Sequence, residues 1–179
     1  CRAVSNIRLK IGDITTARVD AIVNAANPAM LGGGGVDGAI HRAAGPMLLE
    51  ACRQVQPVGG IRCPTGEARI SSAGLLPARY VIHTVGPRYH VDPQPQVLLA
   101  AAYRNSFELA RHRHCRTVAV PAISCGVFGY PPEEAARIAL QVSAEQAHRD
   151  LAIVFYLFNQ QMYDIWFAAL DEEQQLPVQ

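Results

Sequence analysis

The sequence predicts a three-layer α/β/α sandwich around a mixed, mostly parallel sheet, and three observations carry that expectation. Short apolar runs alternate with segments of helical period along the chain, as they do when helices cross over between strands. The run Ala21 to Ala25 is nearly continuously apolar, which suits a central strand covered on both faces. Half of the 179 residues are hydrophobic, enough for a single domain over 1–179, with its core at about 7–170, to bury a sizeable interior.

The elements follow in order. Ile7, Leu9 and Ile11 alternate with Arg8 and Lys10, so the first strand is half-buried and ends at Gly12-Asp13. After the strand Ala21 to Ala25 come a helix from Val36 to Ala44 and a second from Pro46 to Gln54, with proline in its first turn. Val55 to Thr65 is a Pro/Gly-rich loop. Ala68 to Ser72 and Tyr80 to Val85 read as strands. Leu98, Ala102 and Leu109 mark one face of a helix from Gln96 to Arg111. Thr117 to Val120 is a short strand, Pro132 to Ala147 a helix, Leu151 to Phe158 a strand and Gln161 to Leu170 the last helix. The polar tail Asp171 to Gln179 is expected to fray.

Composition narrows the function. A formal charge of +1 supplies no field for gripping a nucleic-acid backbone, so nucleic acid is not an expected partner. The cluster Arg111-His112-Arg113-His114-Cys115-Arg116 reads as a solvated helix end. Cys1, Cys52, Cys63, Cys115 and Cys125 are odd in number and lack framework spacing, as expected for reduced thiols in a cytoplasmic protein. There is no signal-peptide core and no bilayer-length apolar stretch, so no membrane partner is expected. The chain begins at Cys1 rather than Met, and a native N-terminus further upstream is expected. The six histidines form no HExxH and no carboxylate-flanked cluster, so neither a metal nor another cofactor is expected.

Two glycine-rich loops stand out, each between a strand and a helix. The first is Gly32-Gly33-Gly34-Gly35-Val36-Asp37-Gly38, and the second is Ser124-Cys125-Gly126-Val127-Phe128-Gly129. Glycine lets backbone N–H groups converge on an anion, and a helix N-terminus adds a favourable dipole. Two such loops facing each other suit a diphosphate. The spacing Gly33-x-Gly35-x-x-Gly38 matches the dinucleotide fingerprint. The acidic residue expected about 20 residues later, on a second strand, is missing. The Gly-Lys-Ser/Thr of a Walker loop is missing as well.

A larger pattern is more specific. It comprises Gly12-Asp13-Ile14-Thr15, Asp20 to Asn27, Gly32 to His41, Thr65 to Ala68, Tyr80 to Pro87 and Pro121 to Pro131. In this order the blocks resemble the macrodomain family, nearest to its MacroD-like subgroup, which is marked by the Asn27 to Asp37 spacing. The resemblance implies the α/β/α sandwich, binding of ADP-ribose, and hydrolysis of O-acyl-ADP-ribose and of mono-ADP-ribosyl esters on protein acidic residues. It implies that Asp13 and the Ile14 N–H read adenine, and that Asn27 touches the distal ribose. Asp37 would orient or deprotonate water, with His41 one turn beyond it. Gly34, Gly35 and Val36 would form the first phosphate loop, and Ser124, Cys125, Gly126, Val127 and Phe128 the second. Phe158 and Asn159 would flank adenine. Cys125 stands where the family more usually has threonine, which removes one hydroxyl donor. Other roles for these residues stay open on the sequence. Asp13 and Asp37 suit helix caps, and Asn27 suits a turn before Pro28. Phe128 suits a core position, and His83 a strand histidine satisfied by hydrogen bonds. Asn24 is expected to brace the loop. A non-catalytic ADP-ribose reader and an ADP-ribose 1″-phosphate phosphatase are the rival functions.

Overall fold

The computed structural model describes residues 6–126 and 128–175. Among the described residues, five helices and six strands run in the order β1 (Ile7–Ile11), β2 (Val19–Ala25), α1 (Gly35–Ala44), α2 (Pro46–Arg53), β3 (Ala68–Ser72), β4 (Ala78–Thr84), α3 (Pro95–His112), β5 (Thr117–Pro121), α4 (Pro132–Ser143), β6 (Ala152–Leu157) and α5 (Gln160–Gln175). Short 3₁₀ turns at Ile14–Thr16 and Gln146–His148 were not foreseen from the sequence. Most boundaries lie within a residue or two of the expected ones.

Two differ by more. Helix α4 stops at Ser143 instead of Ala147. His148 folds back so that its Nδ1 lies 2.7 Å from the Val142 carbonyl, which ends the helix. Helix α5 continues to Gln175, through residues expected to fray. Glu and Gln are good helix formers and need no buried stripe at an exposed end. The rest of that tail, 176–179, lies outside the described residues, as do 1–5.

The strands form one sheet in the order β1-β6-β5-β2-β4-β3. The β3–β4 pair is antiparallel and every other pair is parallel. Alternate residues of β2 face opposite cores. Ala21 and Val23 join Leu99, Tyr103, Phe107 and Trp166 under α3, α4 and α5. Ile22 joins Ile40, Leu48 and Cys52 under α1 and α2. Neighbouring strands β2 and β5 therefore send their chains to opposite faces, one into α1 and the other into α4. That divergence opens a crevice at their carboxyl ends, where ligands of open α/β sheets bind.

Candidate functional site

The loop after β2 is shaped by Asn27. Its Oδ1 accepts from Met30 N at 3.0 Å, and its Nδ2 donates to the Gly32 carbonyl at 3.0 Å. The turn role open to this residue on sequence is thus realised. Helix α1 begins at an N-cap, Gly34, that makes no side-chain bond. Its first N–H groups are left for another acceptor. Gly34 and Gly35 are exposed and Val36 is half-buried.

Asp37 enters from the first turn of α1 and is 5% exposed. It does not cap its own helix through the Gly34 position. Its Oδ1 accepts from Asn24 Nδ2 at 2.8 Å. Asn24 therefore braces the helix that carries Asp37, where sequence reading had it bracing the loop. His41 Nε2 lies 3.4 Å from the same Oδ1, at ion-pair distance without hydrogen-bond alignment. The other carboxylate oxygen, Oδ2, is buried without a partner, as are Asn24 Oδ1 and Ser124 Oγ. A Cβ placed on Gly33 would lie 3.2 Å from Asp37 Oδ2 and 3.3 Å from Asn27 Nδ2. Asp37 and Asn27 thus flank one small space that glycine keeps open.

The second loop, after β5, is held in an uncommon shape. Ser124 has φ of 68°, a left-handed backbone that a non-glycine residue adopts at a cost. Its carbonyl accepts from Tyr130 N at 2.9 Å, and Tyr89 N donates to the Phe128 carbonyl at 2.9 Å. Burial pushes the half-buried Cys125 thiol up to about 12, so it is a neutral thiol at physiological pH and no nucleophile. Phe128 is half-buried and belongs to neither core, which sets aside its core reading. Val127 lies outside the described residues.

The ends of β1 and β6 meet through a Gly12 N to Leu157 carbonyl bond of 3.2 Å. Asp13 is thereby brought beside Phe158 and Asn159. Asp13 Oδ1 accepts from Thr15 N at 2.9 Å and Thr15 Oγ at 2.7 Å, and these bonds hold its carboxyl below the usual range. It caps the turn that buries Ile14. Asn159 Oδ1 accepts from Met162 N at 2.9 Å at the start of α5. Phe158 is 61% exposed.

A family profile described as Macro domain matches residues 23–139. The chain belongs to the macro domain family. A macro domain-containing protein of Vibrio parahaemolyticus is 60% identical over 93% of this chain and 98% of its own length. A Klebsiella pneumoniae protein named O-acetyl-ADP-ribose deacetylase is 61% identical over 73% of this chain and 75% of its own. The macrodomain of Oceanobacillus iheyensis, solved with ADP, has a TM-score of 0.86 and 44% identity, covering 92% of this chain and 89% of that one. It has also been solved with single changes at an asparagine, a glycine and an aspartate, the glycine variant with ADPR.

In this macro domain the sheet gathers the described candidate residues at one edge, in spatial order: Asp13, Ile14, Phe158 and Asn159 at β1/β6, then Ser124, Cys125, Gly126 and Phe128 after β5, then Asn27, Asp37 and His41 after β2. Sequence reading missed the part played by Asn24 and His83, which lie behind Asp37. The signal was present as a polar residue beside the apolar run of each strand, Asn24 after Ala21-Ile22-Val23 and His83 after Val81-Ile82. Among the described residues no three His, Cys, Asp or Glu side chains converge as a metal site. Nor is any described helix long and apolar enough to cross a membrane.

Proposed function

We propose that this macro domain binds ADP-ribose and hydrolyses its acyl esters, O-acetyl-ADP-ribose and mono-ADP-ribosylated acidic residues among them, without a metal. The observation that carries the reading is the buried Asp37 carboxylate. One of its oxygens is tied to Asn24, and the other, unpaired, faces the space beside Asn27. A reader needs only adenine and phosphate contacts, whereas an unpaired buried carboxylate oxygen suits a water to be oriented or deprotonated. The changed asparagine, glycine and aspartate of the Oceanobacillus macrodomain are spaced seven and three residues apart. Asn27, Gly34 and Asp37 have the same spacing.

On this reading Asp13 and the Ile14 N–H take the adenine, with Phe158 against it. The amides of Gly34, Gly35 and Val36, with those of Ser124 to Phe128, hold the diphosphate. Asn27 meets the distal ribose, and Phe128 packs over it. His41 steadies Asp37. Water adds at the ester carbonyl or at C1″, and acid and ADP-ribose leave. Preorganised loop amides and a placed water supply most of the acceleration.

The test is incubation with O-acetyl-ADP-ribose in H₂¹⁸O, following free ADP-ribose. Label in acetate means carbonyl attack, and unlabelled acetate means attack at C1″, since the anomeric hydroxyl of free ADP-ribose exchanges with water by itself. A panel of mono-ADP-ribosylated peptides, with and without EDTA, extends it. Esters of acidic residues are cleaved, and arginine and serine adducts are spared, because no strong general acid stands ready to expel a poor leaving group. Cleavage of those adducts, or loss of activity to EDTA that a divalent metal restores, overturns the mechanism. Binding without release of ADP-ribose makes the domain a reader.

A further inference from the structure

Asn24 and His83 stand side by side in register on β2 and β4, on the face that α1 and α2 cover. Asn24 Nδ2 lies 2.8 Å from Asp37 Oδ1 and 3.2 Å from His83 Nδ1. A carboxylate has no proton to give, so the amide nitrogen must be the end that faces Asp37. Its second hydrogen then points at His83 Nδ1, which must accept, and the ring proton sits on Nε2. Nε2 has Ser71 Oγ at 2.9 Å, and that hydroxyl donates to the Ser72 carbonyl at 3.1 Å. The chain from Ser72 to Asp37 thus ends in two groups that only accept. Between them, Asn24 donates in both directions.

We infer that His83 is a positioning residue: its neutral ring, with the proton on Nε2, locks the Asn24 amide in the one orientation that binds Asp37 Oδ1, so that Oδ2 is left facing Gly33 and Asn27. The inference rests on the hydrolase reading for what Oδ2 does, but not for how the chain is arranged. A doubly protonated ring would present N–H to Asn24, flip its amide, and turn the amide oxygen onto the carboxylate. Burial, with His41 nearby, holds the His83 pKa down to about 3, so the ring stays neutral. The groups facing it are Asp37 and His41 from α1, with the His41 ring centroid at 6.5 Å, and Cys52 from α2, whose Sγ is 3.6 Å from Nε2. Cys63 Sγ lies against the His83 carbonyl, not the ring.

Two measurements test this. In the wild-type protein, long-range ¹H–¹⁵N spectra of the histidine rings are recorded from pH 5 to 8. His83 is expected as the Nε2–H tautomer throughout. A ring that carries its proton on Nδ1, or that titrates in this range, overturns the inference whatever the variants do. The second measurement compares His83→Leu with His83→Asn, whose side-chain oxygen stands near the place of Nδ1. With O-acetyl-ADP-ribose, His83→Leu is expected to lose roughly 10- to 100-fold in kcat, the scale seen when orienting partners are removed. ADP-ribose affinity by calorimetry should change little, and His83→Asn should recover most of the rate. A folded His83→Leu with wild-type kcat, or equal losses in both variants, overturns the inference. A wild-type protein that binds ADP-ribose but releases none refutes the hydrolase reading instead, and the spectra still decide the arrangement.

Discussion

Gly86, just beyond β4, lies against Ser124 so closely that a Cβ at position 86 would collide with Ser124 Oγ and Ile123 Cγ2. The absent side chain lets the segment after β4 pass beneath the second glycine loop. The Gly86→Ala change should push that loop out of place. Overpacking costs about 1–3 kcal/mol, and ADP-ribose affinity should fall along with the unfolding midpoint. Calorimetry and urea unfolding check both, and an unchanged affinity would show that the loop does not hold the diphosphate.

Asp13 has two duties on this reading, capping a turn and meeting adenine. Asp13→Asn keeps an oxygen for the Thr15 bonds while removing the charge. A charge-assisted hydrogen bond is worth about 1.5–3 kcal/mol, roughly 10- to 150-fold in affinity. Weakening of that size with little change in stability is expected for Asp13→Asn. Wild-type affinity in the variant would confine Asp13 to its cap.

Asp37 should separate turnover from binding. Asp37→Ala is expected to lose at least about 100-fold in rate if the carboxylate orients or activates water, with a far smaller loss of ADP-ribose affinity. The variant also leaves Asn24 Nδ2 without its acceptor, so unfolding is measured in parallel. Equal losses in rate and affinity would place Asp37 in the phosphate loop alone.

Stability should fall with acid through His83. Its pKa goes from 6.5 to about 3 on burial. Between those values the unfolded chain binds a proton that the folded one refuses, so lowering the pH favours unfolding, and above 6.5 the effect is absent. One proton is worth about 1.36 kcal/mol per pH unit. Urea unfolding of wild type and His83→Asn between pH 5 and 6 should give a steeper fall for wild type. Matching slopes would mean that the folded ring already takes up the proton.

Much of the architecture could be read from periodicity, because β2, β5 and β6 must be apolar on both faces and α4 shows a clear stripe. The end of α4 could not, because it is set by His148 turning back onto the Val142 carbonyl six residues earlier, a side-chain contact that periodicity does not report. Helix α5 ran past its apolar stripe for the opposite reason, since an exposed end built from helix-forming residues needs no stripe. At the site, Asn27, Asp37 and His41 came from the resemblance to the macrodomain family, since their own residue types suit turns and caps equally well. The pairing of Asn24 with His83 depends on the register between β2 and β4, which neither strand carries in its own residues.

The two cores on opposite faces of the sheet have a practical consequence. Asn24, Asp37, His41 and His83 belong to the layer under α1 and α2, whereas the Ser124–Phe128 loop leads into α4 in the other layer. Changes without shared packing partners act nearly independently. On the proposed function, changes confined to these four side chains, with the glycine loops left intact, are therefore a route to a trapping reagent, one that keeps most of its grip on the nucleotide while the chemistry stalls.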